Sequence, residues 1–574
     1  MFRKNQRHLQ QQMLTAFDSL PEAQLTRLHN GWAGVFYREF FSRLDEHPFA
    51  VLFSAKDSRP NIPVNVLIGL EALKAGFNWS DEQLYDAFCF DLQVRFALGF
   101  HHLGEGHFTL RTLYHFRHRL SAYMQQTGVN LIEQSFEQIT DQQITAFQLK
   151  TGKVRMDSSQ IASNIRQLSR LHLLVEVIQR VHRMLSEQDQ THFAELLAPY
   201  LQGHAHQYVY RVKGEDGPAH MQRLGEVMLH LLDHLPPVYR EQPGYHLLQR
   251  DFSEHFLVEQ ERLRLKTGSE LRADSLQSPD DVEATYHQKR GRGYKGYVVN
   301  VTETCDPDNP LQLIAKVQTH PNVTNDDDLL LEALPSLTQR LELEEIHTDG
   351  GYNSEKLAIV LQDQGMTHVQ TAIRGHAPDQ RLGLDTFVMV TDDQGHLVHI
   401  TCPSGQTVAV KPATSKHGLP RYRASFDAQI CGTCPLQDRC LSRPLKTKPQ
   451  RTLSFSHHEA GIAQRRQRMA HDRQNGTNLR VVIESTIGSL KQPFNYNQLP
   501  VRGRFRVGML LIGGAAVANV RRISRYLHPE RKQKGKMAAR TAAQWSQPAP
   551  WSPGFVACRT VPGFPNGLRR RLVA

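Results

Sequence analysis

Cysteine is scarce in this chain. There are seven in 574 residues, and four of them, Cys402, Cys431, Cys434 and Cys440, crowd into one 39-residue window. That distribution excludes the evenly spread disulfide framework of a small secreted protein. It suits a reducing compartment, with the cluster available for a metal. Long apolar runs are missing too. The most apolar stretch, Val507 to Val520, is 14 residues between arginines, short of the roughly 18 to 20 that cross a bilayer. It reads as a buried helix. The opening residues, MFRKNQRHLQ, are polar and lack the apolar segment of a secretory leader. The expectation is a cytoplasmic protein with no membrane partner. Positive charge is also lacking over most of the length. The net charge is +11, but nine Lys or Arg and no acid lie between Arg531 and Ala574, leaving about +2 for the rest. A uniformly basic surface is thereby excluded, and basic patches must be local.

At a prior of about 150 residues per domain, the chain holds several domains. The stretch that organises it lies late, at Thr477 to Lys491, TNLRVVIESTIGSLK. Placed on a helix at about 100° per residue, Leu479, Val482, Ile483, Ile487 and Leu490 share an apolar face. Arg480, Glu484, Gly488 and Lys491 share the neighbouring stripe. A carboxylate is flanked by two cations, with bare glycine backbone between. An ordinary amphipathic helix with an i, i+4 Arg–Glu pair explains this stretch alone.

Two upstream acids change the weight. Asp157 ends an alternating run in Lys153-Val-Arg-Met-Asp157-Ser-Ser, and Asp349 ends another before Gly-Gly-Tyr-Asn. Each alone also fits a helix cap or a turn. Two strand-end aspartates and a helix glutamate meet only in an α/β fold with neighbouring strands and a helix packed across them. Three converging carboxylates repel one another without a cation, and hard oxygen donors favour Mg²⁺ or Mn²⁺. A pair of such ions suits phosphodiester displacement.

With these residues assembled, the chain resembles the DDE transposases of bacterial insertion sequences, in particular the IS eleven-eighty-two-like group. Asp157 matches the first acid by its strand and following Ser-Ser. Asp349 matches the second by its Asp-Gly-Gly-Tyr turn. Glu484 matches the third through the spacing Arg-x3-Glu-x6-Lys of Arg480, Glu484 and Lys491. The family's tyrosine position is Thr477, so no tyrosine role carries over. The resemblance spans roughly residues 35 to 525. It implies a ribonuclease-H-like mixed sheet with flanking helices, an all-helical N-terminal domain and two insertions. It also implies two Mg²⁺ (or Mn²⁺) ions on Asp157, Asp349 and Glu484, strand cleavage followed by 3′-hydroxyl transfer, double-stranded DNA as partner, and a homodimer on that DNA.

In chain order, residues 1–130 read as helical, with one apolar-spaced segment over 16–44, another from Ile62, a third capped by Ser80 and Gln83, and a basic one carrying Arg111, Arg117 and Arg119. Helices followed by a basic helix suit a major-groove reader, and a plain bundle with solvated arginines fits the same pattern. Residues 131–164 begin the core, with a first strand over Gln148 to Ser158. Residues 165–275 form a helical insertion, in which Arg180, His182 and Arg183 share one helix and are candidate DNA contacts; a coiled-coil-like spacer is the competing reading. The core resumes over 276–375. There Lys295 and its neighbours, interleaved with Gly and Tyr, suit phosphate contact or a mobile basic loop. Residues 376–455 carry Cys402, Cys431, Cys434 and Cys440, which suit a structural zinc ribbon or four free thiols. Residues 456–527 hold the Glu484 helix and a terminal helix, and 528–574 a basic disordered tail.

A transposase is the leading expectation. A nuclease on the same core and a non-catalytic DNA-binding derivative are the alternatives.

Overall fold

In the computed structural model, residues 1–529 are described except 11–13, 57–59, 103, 261, 290, 372–380, 393–396, 415–419, 446–447, 476–477 and 492–497, and the side chains of 420 and 471–475. The tail from 530 and Thr477 lie outside the described residues. The chain forms two compact units, Met1–Ser524 and Arg525–Ala574. Of the second, only 525–529 are described, helical as far as Leu527.

The expected apolar-spaced helix near the start is two helices, Glu22–Asn30 and Trp32–Glu39. Gly31 separates them because a Cβ there would sit 2.7 Å from the Arg27 carbonyl. Helix Val64–Phe77 follows and ends on left-handed Asn78. Helix Asp81–Phe90 starts with the reciprocal bonds that its spacing predicts: Gln83 N donates to Ser80 Oγ, and Ser80 N to Gln83 Oε1. The basic helix is Leu110–Thr127 and the next Leu131–Ala146.

The first strand, β1 (Lys153–Ala162), differs from expectation. It starts later than Gln148, which has a positive φ of 50°, and it runs on past Asp157 rather than stopping there. A helical insertion follows, closed by the hairpin β2 (Phe256–Glu259) and β3 (Arg262–Leu265). Then come β4 (Thr285–Lys289), β5 (Arg292–Thr304) and β6 (Ile314–Pro321). Helix Asp326–Arg340, β7 (Glu345–Thr348), helix Glu355–Asp363 and β8 (Thr367–Gln370) complete this part. The cysteine-bearing region is a second sheet of β9 (Val388–Thr391), β10 (Leu397–Thr401), β11 (Thr407–Thr414), β12 (Pro420–Asp427), β13 (Arg443–Pro444) and β14 (Gln450–Phe455). Its six strands pair antiparallel throughout.

The first sheet is mixed. β5 runs antiparallel to β1, while β7 and β8 run parallel to it. The order is β5-β1-β7-β8, with β4 and β6 sharing the outer edge of β5. Alternation of Val299, Val301 and Glu303 with buried partners on both faces marks β5 as central.

The N-terminal helices share one apolar core with this sheet and with the terminal helix Arg504–Leu527. Backbones approach closely where Gly513 meets Ala75 and Ala72, so the 14-residue apolar run is taken up by packing. Lys316 on β6 donates to Glu133 (2.7 Å) and Glu137 (2.5 Å), fastening helix Leu131–Ala146. The helical insertion builds a separate core around Leu174, Ile178, Leu224 and Leu248, which makes it a bundle rather than a coiled-coil spacer. The cysteine-bearing sheet has a third core around Phe387, Ile400 and Phe426.

An ion cluster ties three N-terminal helices together. Arg117 Nε donates to Glu71 (2.7 Å), and Asp81 Oδ1 accepts from Arg117 (2.6 Å) and Lys74 (2.7 Å). Burial alone would raise the Asp81 carboxyl, but Arg117 and Lys74 hold it at about 2. Its folded value is depressed, so its contribution is complete above pH ~4 and lost as pH falls towards 2. Urea unfolding at pH 6 and pH 3 should show a drop in stability for the native chain that Asp81→Asn lacks, of order 1 kcal/mol after solvent screening. Equal drops in both would place the acid sensitivity elsewhere.

Candidate functional site

Strand register brings two of the expected acids together. β1 and β7 are parallel, with Lys153 opposite Glu345, Val154 opposite Ile346 and Arg155 opposite His347. Two residues further along each chain stand Asp157 and Asp349. β7 has ended by then while β1 continues, so the Asp157 edge opens at the strand end. Asp349 shapes the following turn: its Oδ1 accepts from Gly351 N at 2.7 Å, and its carbonyl from Thr348 Oγ1 at 3.1 Å.

The third acid arrives on helix Val481–Lys491. Ile483, Ile487 and Leu490 are buried as expected, but Val482 is exposed and Thr486 is buried instead. The reason is Glu303 on β5, fully buried. It accepts from Arg155 Nε (2.5 Å) and Thr486 Oγ1 (2.9 Å) and pairs with Arg522 (2.8 Å). Arg155 also donates to the Leu479 carbonyl at 2.9 Å. A helix can meet this buried charge only by turning a hydroxyl towards it.

Arg480 stands just ahead of the helix and gathers the acids. Its Nη2 donates to Asp157 Oδ2 (2.9 Å) and its Nη1 to Glu484 Oε1 (3.0 Å). Burial works against its charge, yet Asp157, Asp349 and Glu484 together raise its pKa. Burial pushes the Asp157 carboxyl up to about 6; Arg480 opposes this and the neighbouring Asp349 adds to it. Glu484 remains more than half exposed, at the solvent end of the group. At the far end of the helix, Lys491 Nζ donates to Ser159 Oγ at 2.7 Å. Its pKa is lowered to about 8, by burial first and then by Lys289, with Asp157 working the other way.

Residues 401–524 match a family model described as a transposase DDE domain. No curated protein matches the chain. The matched span holds Arg480, Glu484, Lys491 and the four clustered cysteines, and it leaves out both aspartates. A DDE domain implies use of a divalent metal, and the donors at the triad fit one: they are hard carboxylates, two of them close neighbours of like charge in a half-buried site. Among the described residues, the group of acids and histidine whose ligand atoms all lie within 4.8 Å is a different one, Asp251, Glu254 and His255 in the helical insertion. In that group Arg170 Nε donates to His255 Nδ1 (2.7 Å), His255 Nε2 lies 3.3 Å from Asp251 Oδ1, and neither of these atoms nor Asp251 Oδ2 has a hydrogen-bond partner. Glu254 is held by Arg250 and by Leu276 N.

Other expected residues scatter. Arg111 and Arg119 lie on the exposed face of the basic helix, Arg119 over the Phe53 ring at 5.4 Å. Arg117 is not on that face; it is buried between Glu71 and Asp81, and this corrects its expected DNA contact. Lys295 also turns inward, donating to the Leu168 carbonyl at 3.2 Å. Arg180 is engaged by Asp280 and Glu176.

The four cysteines line one cavity of about 30 Å³ with Phe387, Phe426 and Arg451. None is in a disulfide. Gln406 N donates to Cys402 Sγ at 3.3 Å, the kind of amide contact that supports a thiolate ligand.

Sequence reading missed Asp326, whose Oδ1 accepts from Ser158 Oγ at 2.5 Å beside the first acid. It stood in a run of three aspartates at a helix start, where acids are common. It also missed Arg465, on helix His457–Asn475, which donates to Asn353 Oδ1 (2.9 Å) in the Asp349 turn.

Thr486→Val should cost about 1–3 kcal/mol in urea unfolding, because Glu303 loses a donor inside the core. An unchanged midpoint would remove Glu303 as the seat of the helix.

Proposed function

We propose that this chain is a DNA transposase of an insertion sequence, built on a ribonuclease-H-like core. The observation that carries the reading is the convergence of Asp157, Asp349 and Glu484 on Arg480. The strand order β6-β5-β1-β7-β8, with β5 and β6 antiparallel to their neighbours and β7 and β8 parallel to β1, supports the core assignment. The similarity over residues 401–524 supports the activity.

Asp157, Asp349 and Glu484 would hold two Mg²⁺ or Mn²⁺ ions. Such ions, when bound, help ionise an attacking water or 3′-hydroxyl and offset charge on the leaving oxygen. The chain's own groups place the DNA. Arg480 exchanges carboxylates for a backbone phosphate once the acids have another cation. Lys491 offers a second positive charge one helix length away, and Gly488, open to solvent, lets the backbone approach between them. Water attack on phosphorus breaks the P–O3′ bond and frees a 3′-hydroxyl at the element end. That hydroxyl then attacks a phosphorus of target DNA and displaces its 3′-oxygen, with no covalent protein intermediate. Exposed Arg111 and Arg119 serve recognition of the element's terminal repeats, and a homodimer bridges the two ends. The compartment this requires is the cytoplasm, on the nucleoid. Cys402, Cys431, Cys434 and Cys440 would supply the ligands of a structural Zn²⁺.

The deciding test is cleavage and joining of a labelled duplex carrying the element's flanking ends, with Mg²⁺, for the native chain, Asp349→Asn and Glu484→Gln. Joined product from the native chain alone is expected, with end binding kept in both variants. Cleavage without joining would point to a nuclease, and metal-independent binding without product to a non-catalytic DNA-binding protein. For the cysteines, metal analysis should find one zinc per chain, and Cys434→Ser should lower both zinc content and the thermal midpoint. A zinc-free chain of unchanged stability would overturn that assignment.

A further inference from the structure

The cysteine-bearing sheet has two unlike faces. One carries Ile400, Val408, Val410, Phe426 and Leu453 and packs into the core around Phe387. Alternation along each strand sends the residues between them to the other face. Register sets these side by side. Lys411 on β11 stands opposite Arg423 on β12, and Arg423 opposite Ser454 on β14. One step along, Ser425 stands opposite Thr452, and Thr452 opposite Arg443 on β13. His399 stands opposite Ala409. Lys411, Arg423, Arg443, His399, Ala409 and Ser454 are all exposed.

The free charge on this face has one sign. Lys411, Arg423 and Arg443 have no ion pair or hydrogen bond among the described residues. The charges that border them are already engaged. Arg421 pairs with Glu459 at 3.1 Å and donates to Ser454 Oγ at 3.2 Å, and Asp427 accepts from Gln429 N at 2.7 Å. Ordinary solvation accounts for long cations on a surface. It does not account for two of them set directly opposite each other, because like charges across a strand pair destabilise it. An acid in place of either Lys411 or Arg423 would remove that cost.

The spread of the cations says what would relieve them. With strands about 4.8 Å apart and about 3.4 Å per residue, Arg443 and Lys411 lie about 14 Å apart across the sheet and about 7 Å along it. Side chains rooted so far apart on a flat face do not converge on one small anion. They fit a ligand whose negative charge repeats over a length. The residues between them, Ser425, Thr452, Ser454 and Ala409, are small and uncharged, so a broad surface can lie close.

We propose that this face of the cysteine-bearing sheet is a contact surface for the phosphate backbone of double-stranded DNA, separate from Arg480 and Lys491 at the acids and from Arg111 and Arg119. The inference rests on the reading that the chain acts on DNA. Phosphate contacts position a protein on the duplex and carry no base sequence, so the face adds hold without adding recognition of the element's ends.

The test is binding of the full chain to a short labelled duplex of unrelated sequence, titrated at several salt concentrations. The native chain is compared with the triple variant Lys411→Gln, Arg423→Gln, Arg443→Gln. A charge-matched control carries Lys213→Gln, Arg240→Gln, Arg262→Gln, at exposed positions of the helical insertion. Each chain is checked for its thermal midpoint. Every lost phosphate contact lowers the slope of log K against log salt by about 0.9, so the triple variant should lose about 2 to 3 in slope. Its affinity at low salt should fall about tenfold or more, equally on a duplex that carries the element's ends. The control should keep the native slope. If the control loses as much, net charge and not this face is responsible, and the proposal falls. If the triple variant keeps the native slope, the face is merely solvated, and the transposase reading stands. If the native chain binds neither duplex, both readings fall. Should the triple variant unfold, Lys411→Gln and Arg423→Gln are read singly, each expected to lower the slope by about 0.9.

Discussion

Glu303 is the charge around which the site is built. It is fully buried on a central strand, and an isolated carboxylate there would cost several kcal/mol. Two guanidinium groups and a hydroxyl answer it, and they come from different parts of the chain: Arg155 from β1, Arg522 from the terminal helix, Thr486 from the helix of Glu484. Satisfying one buried charge therefore helps to fix the position of the helix, alongside its buried Ile483, Ile487 and Leu490. The exposure of Val482, against its apolar character, follows from the same demand.

Around that seat the site is arranged to hold positive charge. Asp157 and Asp349 are brought side by side by parallel register, and burial, with Asp349 adding to it, raises the cost of ionising Asp157. Arg480 supplies the compensation, reaching Asp157 and Glu484 at once. An arginine in that place serves two ends. It opposes the rise that burial imposes on Asp157, and its planar fork matches a phosphate when another cation relieves it.

The helix of Glu484 and its Arg-x3-Glu-x6-Lys stripe were legible because helical periodicity places those residues together whatever surrounds them. So was the capping pair Ser80 and Gln83, also a local feature. Asp157 was found for an incomplete reason. The alternating run stops at it in the sequence, yet β1 continues to Ala162, and what ends there is the pairing with β7. Arg117 misled because a basic helix does not announce which of its arginines faces inward; Glu71 and Asp81, 46 and 36 residues away, decide that.

By itself the sequence determined the elements, the acids and their order, because propensity, capping and periodicity act over a few residues. It also determined that four cysteines lie close enough in the chain to meet. Only the tertiary structure decided which acids stand together, which arginines turn inward, and that Glu303 draws Thr486 into the core. Those outcomes depend on strand register and on buried charges that must find partners, and both are settled between segments hundreds of residues apart.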